Sequence, residues 1–337
     1  LGRAVDYASF YLTCAGFLLL RLRRGDLVVA KTDPPLISVI AAFAARWRRA
    51  VLVNWLQDVF PEVASALGAN PLPAPLDRLL RRLRNASLRQ AAVNVVLGER
   101  MRDYVVAQGV AAGQIEVIEN WADTAEMRVL SPAHSALRAH QGLQDRFVVG
   151  YSGNLGRAHE YQTLLGAAML LSHDPGIVFL LVGGGIHMNA LRLAAQARGL
   201  ANIRFLPYQP RAELGDSLAA ADVHLVSLLP DLEGLIVPSK FYGILAAGRP
   251  VLFIGDPDGE IARVVRAQRC GLIVAPGASV DLVGAIRHLQ SASSEREAMG
   301  ETARRLAVGR YSAGTAHRRW AAVLARVVEP ALLEARS

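Results

Sequence analysis

Residues 231–250 read Asp231-Leu-Glu-Gly-Leu-Ile-Val-Pro-Ser-Lys-Phe-Tyr-Gly-Ile-Leu-Ala-Ala-Gly-Arg-Pro250, and this stretch decides the fold. Just upstream, residues 223–229 form a short apolar run with β-branched members, and residues 251–254 repeat the pattern downstream. Both predict buried parallel strands, which need a crossover helix between them. Ser239 suits its N-cap, Phe241, Ile244 and Leu245 share one helical face, and Gly248 followed by Pro250 ends it. Lys240 therefore stands at a helix N-terminus, where free N–H groups and a full charge favour an anion such as phosphate. Glu233, on the preceding loop, would be repelled by that anion unless it served sugar hydroxyls. Phosphate and hydroxyls together describe a nucleotide sugar. Lys31 and Lys240 are the only lysines of an arginine-rich chain, so a compact ammonium survives where an anion is expected. The plainer alternative is a capped helix with a solvated Lys and Glu.

A chain of 337 residues, 52% hydrophobic and 20% charged, has room for two α/β domains. Strand patterns alternate with helical ones throughout, which predicts parallel sheets flanked by helices. A net charge of +8 favours an acidic partner, either nucleic acid or an anionic membrane. An aromatic content of 6%, with no basic block interleaved with aromatics, argues against nucleic acid. Cys14 and Cys270 are far apart and form no metal or disulfide pattern. No P-loop motif occurs, and Gly183-Gly-Gly185 followed by Met188 fails the dinucleotide fingerprint.

Several other segments carry polar chemistry at expected strand ends. Gln57-Asp-Val-Phe-Pro-Glu62 follows the strand 50–55, and Asp58 is its candidate; capping of the next helix is the alternative. Ser152-Gly-Asn-Leu-Gly-Arg-Ala-His159 follows the strand 147–151. Gly153 and Gly156 bracket a tight turn whose amides approach an anion, and Arg157 offers a guanidinium fork. His159 reads either as a phosphate or sugar contact or as a helix N-terminal residue. Asp256 and Asp258 follow the strand 251–254; a hard cation would suit such a pair, but turn chemistry explains it too and no metal is expected. Residues 76–88, with Arg78, Arg81, Arg82, Arg84 and Arg89 around Leu79, Leu80 and Leu83, predict a basic amphipathic helix. It suits an anionic membrane surface or a solvated face. Residues 6–20 are too short to span a bilayer and read as a core helix, while 71–75 read as a stiff connector.

With Pro238-Ser239-Lys240 opening its helix, the segment 231–250 resembles the donor-binding segment of the retaining glycosyltransferases of family 4. It is most similar to the bacterial exopolysaccharide, O-antigen and colanic-acid-type enzymes. The resemblance covers nearly the whole chain. It extends to the Asp58-Val-Phe-Pro61 segment, Asn120-Trp-Ala-Asp123 and the turn Gly153-Asn-Leu-Gly-Arg157. It implies the GT-B fold, two Rossmann-like domains facing a cleft. Residues 1–146 would be the acceptor-side domain, joined by a returning helix 311–337, and 147–310 the donor domain. Residues 131–145 would be the helical connection. Because the family has a further strand and glycine loop before the point where this sequence starts, the resemblance implies an incomplete N-terminal domain.

By the same resemblance, Glu233 contacts the transferred sugar, while Gly234, Leu235 and Ile236 cradle sugar and diphosphate beside Ser239 and Lys240. Gly153, Asn154, Gly156 and Arg157 hold phosphate, Tyr208 and Gln209 flank the base, and Asp58 and Asn120 face the cleft. The donor is a nucleotide-diphosphate sugar, with no cofactor, and the acceptor a glycan or polyprenyl-linked saccharide. The place is cytoplasmic, peripheral on the inner membrane face. One departure stands out. Gly243 occupies the position where many members hold ribose with a second Glu, and glycine inside a helix costs roughly 1 kcal/mol against alanine. Gly243 motivates a competing expectation, a non-catalytic nucleotide-sugar-binding partner subunit. A sugar-nucleotide epimerase of the same architecture is another.

Overall fold

The computed structural model describes the backbone of residues 2–68 and 73–336 and the side chains of 5–68 and 73–328. The proposed connector 71–75 lies partly outside the described residues; from Pro73 the chain enters the helix Ala74–Gln90. The fold is α/β with two sheets. The first contains β1 (Leu27–Lys31), β2 (Val51–Trp55), β3 (Val93–Val96) and β4 (Ile115–Val117), in that spatial order and all parallel. The second contains β5 (Phe147–Asn154), β6 (Ile177–Gly184), β7 (Ile203–Leu206), β8 (Val223–Ser227), β9 (Val251–Ile254) and β10 (Gly271–Val274). Its order is β10-β9-β8-β5-β6-β7, again parallel.

That order positions the site. The chain builds outward from β5 through β6 to β7, then returns to the other side of β5 as β8. The strand order therefore reverses between β5 and β8, and an open parallel sheet leaves a crevice at the carboxyl ends of such a pair. Every residue of β8 and β9 is buried, as the uninterrupted apolar runs predict for strands covered on both faces. Tyr151, Phe179, Leu181, Leu225 and Leu252 belong to the core beneath.

Contacts divide the chain into two compact units. One runs to Glu119 and takes in Gly234–Val237 and the terminal helix from Ala316; the other holds Asn120–Glu233 and Pro238–Thr315. Residues 120–146 thus pack with the second unit, whereas the sequence reading placed them with the first. The cause is a buried anchor: Arg138 donates to Asp222 (3.0 Å) and to the Ala220 carbonyl (3.2 Å), and the Asp216 carboxylate accepts from the amides of Ala136 and Leu137. Only short turns form there, Pro132–His134 and Ala136–His140, not one connecting helix. In the first unit the terminal helix is held by Arg319 on Glu119 (2.7 Å) and by Trp320 against Trp55.

Two further expectations are corrected. The helix Gly2–Arg21 is not a core helix: Phe10, Leu12, Phe17 and Leu20 are exposed, because the run is apolar all round and only one side packs on the helix Ile37–Arg48. The helix Ala74–Gln90 is basic on fewer sides than its sequence suggests. Arg81 and Arg84 turn inward onto buried Glu62, each at 2.6 Å, and Tyr104 donates to the same carboxylate. Arg78, Arg82 and Arg89 stay exposed, beside the exposed Leu76, Leu79 and Leu83.

Candidate active site

The helix that carries Lys240 runs Lys240–Ala246, and Gly248 ends it at φ 67°. The Gly248 amide returns to the Leu245 carbonyl and the Arg249 amide to that of Ile244, the paired bonds of a Schellman end. Ser239 does not cap the other end. Its backbone is already helical (φ −63°, ψ −24°) and its side chain caps no amide. The first turn is instead entered through Pro238, whose carbonyl accepts from Phe241.

Lys240 turns towards the β5 carboxyl end. Its ammonium donates to the Tyr151 hydroxyl, to the Asn154 carbonyl (3.1 Å) and to His159 Nε2 (3.0 Å), and lies 4.2 Å from the Tyr151 ring centre. The tautomer of His159 follows from its other nitrogen. Nδ1 lies 2.6 Å from the Ser227 carbonyl, which only accepts, so Nδ1 carries the proton and Nε2 offers a lone pair. Tyr151 in turn donates to the Asn154 carbonyl at 2.9 Å. Three neutral acceptors thus hold the three ammonium protons, and none is a carboxylate. Burial without a counter-charge lowers the Lys240 pKa to about 7. Burial, then the neighbouring Lys240 charge, lowers that of His159 to about 4. Burial raises the Tyr151 phenol well above its ordinary value.

Glycines open this corner. Gly153 adopts φ 117° and Gly183 φ 133°, and a Cβ on Gly183 would stand 2.2 Å from the Gly153 carbonyl. Gly156 lies against the Asn154 side chain, with an added Cβ 3.1 Å from its amide nitrogen. Arg157, on the same loop, is exposed. Tyr208 is exposed, and its ring lies over Gly184, the register partner of Asn154. Gln209 folds back on the Pro207 carbonyl at 2.9 Å.

Glu233 sits half-buried in the same unit, and its Oε2 accepts from the Glu260 amide at 3.0 Å, the start of the helix Glu260–Gln268. Gly259 permits that approach, since a Cβ there would meet the carboxylate at 2.2 Å. Asp256 accepts from the Asp258 amide at 2.9 Å and so forms the turn expected of that segment. Gly243 is not imposed by packing: an added Cβ would come no nearer than 3.9 Å to Leu218.

The remaining candidates stand elsewhere. Gly234, Leu235 and Ile236 cluster with the first unit, where the Leu235 carbonyl accepts from the Val59 amide and Gly234 (φ 76°) lies against the Arg100 carbonyl. Asp58, also in that unit, is exposed at the β2 end and bonds through its backbone to Thr32, so its side chain does not cap the helix Glu62–Ala66. Desolvation first and nearby Asp33 second raise its pKa, against Lys31. Asn120 is half-buried, two residues before the bridge of Ala122 to Ser312.

Sequence reasoning missed Tyr151, and it placed His159 at phosphate, at sugar or in a helix where the structure places it on Lys240. The available signal was position alone: an aromatic ending an apolar strand and a His closing the glycine turn, both at a strand's carboxyl end.

Comparison with known proteins bears on the fold and the family. Residues 135–306 match the family model described as glycosyl transferases group 1, and residues 3–121 match a glycosyl transferase 4-like domain. Over 248 residues the chain is 29% identical to a probable glycosyltransferase, WbjE, of Pseudomonas aeruginosa, covering 73% of this chain and 61% of that protein. Over 170 residues it is 30% identical to the putative colanic acid biosynthesis glycosyl transferase WcaI of Escherichia coli (strain K12), covering 50% and 42%. The chain therefore spans less than two thirds of either relative. In fold it is similar to Alr3699/HepE of Anabaena, crystallised with UDP, at TM-score 0.74 and 20% identity over 95% of this chain and 81% of that one. The same Anabaena protein has also been crystallised with UDP-glucose. With two parallel α/β sheets and matches to both halves, the chain belongs to the group 1 glycosyl transferases, in the GT-B fold with a family 4-like first domain.

Proposed function

We propose that this protein transfers a sugar, with retention at the anomeric carbon, from a nucleotide-diphosphate sugar to a glycan or polyprenyl-linked acceptor of bacterial surface polysaccharide synthesis. The observation that carries the reading is the Lys240 ammonium, desolvated at the β5–β8 reversal and bonded, among the described residues, only to neutral acceptors. A half-buried charge with no counter-charge is costly, and a diphosphate supplies the missing negative charge.

In this reading Lys240 and Arg157 stabilise the charge that develops on the departing diphosphate, helped by amides of the Gly153–Gly156 turn. Tyr208 and Gln209 face the base, and a Tyr ring beside the glycine-lined Gly184 suits stacking. Glu233 orients sugar hydroxyls with the oxygen not bound to Glu260, and Ser239 bonds phosphate. Gly234, Leu235 and Ile236 complete the cradle, with Asp58 and Asn120 on the acceptor side. A phosphate oxygen of the leaving group takes the acceptor's proton. No metal is required when two cations offset the phosphates. The protein works in the cytoplasm, held on the inner membrane face by the Ala74–Gln90 helix. Among the described residues no helix is long and apolar enough to cross a membrane.

The test is transfer from a panel of UDP-, GDP- and dTDP-sugars to lipid-linked acceptors, with the anomeric product read by NMR. Lys240→Ala should lower kcat/KM by about 100-fold or more, and Glu233→Gln should also impair it. Glutamine is the informative change, since it keeps an acceptor for the Glu260 amide. Equal turnover in wild type and both variants would remove this site.

A further inference from the structure

A second hollow opens at the opposite end of the six-stranded sheet, where β8 and β9 begin rather than end. Its volume is about 670 Å³, and its walls include Arg249, Arg296, Arg304 and Arg305. That size suits a small organic ligand. Arg249 is the unusual member. It is 9% exposed, its Nη2 donates to the Leu130 carbonyl, and its Nε has no hydrogen-bond partner among the described residues.

Asp222, a carboxylate of the same wall, attracts Arg249 but is shared with other donors. Asp222 is already held by Arg138 at 3.0 Å and by the Val148 amide at 2.8 Å. Arg304 spends its guanidinium on neutral carbonyls, Ala246 at 2.6 Å and Thr124 at 2.9 Å, and Arg296 bonds the Leu289 and Gln290 carbonyls. Burial, only partly offset by the attraction of Asp222 and reinforced by smaller repulsions from Arg138 and Arg296, lowers the Arg249 pKa to about 10. A trapped water would satisfy one donor and leave the charge uncompensated, whereas an oxyanion satisfies both. Gly300 lets the helix Ser293–Gly309 pack directly on this corner, since a Cβ there would stand 2.5 Å from the Gly248 carbonyl.

We propose that this hollow binds a small phosphomonoester, with its phosphate on Arg249, Arg296 and Arg305 and its hydroxyls on Glu297 and Glu301. Both glutamates are exposed members of the wall, and carboxylates accept from hydroxyls. The site is distinct from that of Lys240 but joined to it, since Gly248 and Arg249 follow, one residue on, the seven-residue helix that Lys240 begins, and Arg304 holds that helix's last carbonyl.

The test is titration of the full chain with glycerol 3-phosphate, followed by the backbone amide signals of Gly248 and Gly300. Arg249 is buried and bonded to Leu130, so its variants risk the fold. Arg305 is exposed and, among the described residues, bonds only Thr302 on its own helix, which makes Arg305→Glu the variant of choice. We expect saturable shifts at both amides, a Kd raised at least fivefold in Arg305→Glu, and a Kd within fivefold of wild type in Lys240→Met. Absence of saturable shifts, a smaller change in Arg305→Glu, or a loss of fivefold or more in Lys240→Met would overturn the assignment.

Discussion

Lys240 illustrates how one residue's discomfort reports a ligand. Its ammonium is held by three neutral groups, and its depressed pKa is the cost of desolvating a charge that nothing in the second unit answers. Removing the charge should therefore not harm the free protein. Lys240→Met is expected to keep or raise the melting temperature, measured by calorimetry. Nucleotide-diphosphate affinity should fall by about 1.5–3 kcal/mol, on the order of 10- to 100-fold. A variant that unfolds easily but binds normally would reverse this account. Glu233 behaves differently, because its carboxylate also receives the amide that starts the helix Glu260–Gln268. Glu233→Ala should lose about 1 kcal/mol of stability as well as any role in transfer, so stability and activity must be measured together.

At the scale of elements, two glycines of similar appearance have opposite consequences. Gly183 sits at φ 133°, where a Cβ would clash with the backbone of the adjacent β5 turn; Gly183→Ala should cost about 2–4 kcal/mol in denaturant unfolding. Gly243 lies inside a helix with open room around it, and Gly243→Ala should stabilise by about 0.5–1 kcal/mol. The Ala74–Gln90 helix presents Leu76, Leu79 and Leu83 to solvent between exposed arginines. Co-sedimentation with phosphatidylglycerol vesicles should occur at low salt, weaken as salt rises, and be lost in Leu79→Asp/Leu83→Asp. Unchanged sedimentation in that variant would place the membrane contact elsewhere. The strands and the Lys240 crossover were legible because apolar runs and glycine stops are local signals. Arg81 and Arg84 were misjudged as surface charges because their partner, Glu62, is distant in sequence and the pairing depends on tertiary packing. Tyr151 escaped notice for the same reason: only the β5–β8 pairing brings it to Lys240. The helix Gly2–Arg21 carried no polar face that would have marked its exposed side.

For the whole molecule, two neutral histidines, His224 buried and His159 half-buried, set the acid limit. His159 and His224 have folded pKa values lowered to about 4, from burial first, while the unfolded chain titrates near 6.5. Between those values the unfolded state binds more protons, so stability should fall as pH drops from 6.5 towards 4, by a few kcal/mol in total, as read from urea unfolding. A flat profile across that range would contradict the two assignments. Lys240 follows the same linkage in a higher window. Its free folded pKa is about 7, so at pH 8 it is mostly neutral, and an arriving diphosphate must draw a proton onto it. The most direct measurement is calorimetric titration of UDP at pH 8 in two buffers of different ionisation enthalpy. Uptake of about one proton by wild type and none by Lys240→Met is the predicted result; binding with no proton uptake, or the same uptake in both proteins, would contradict it.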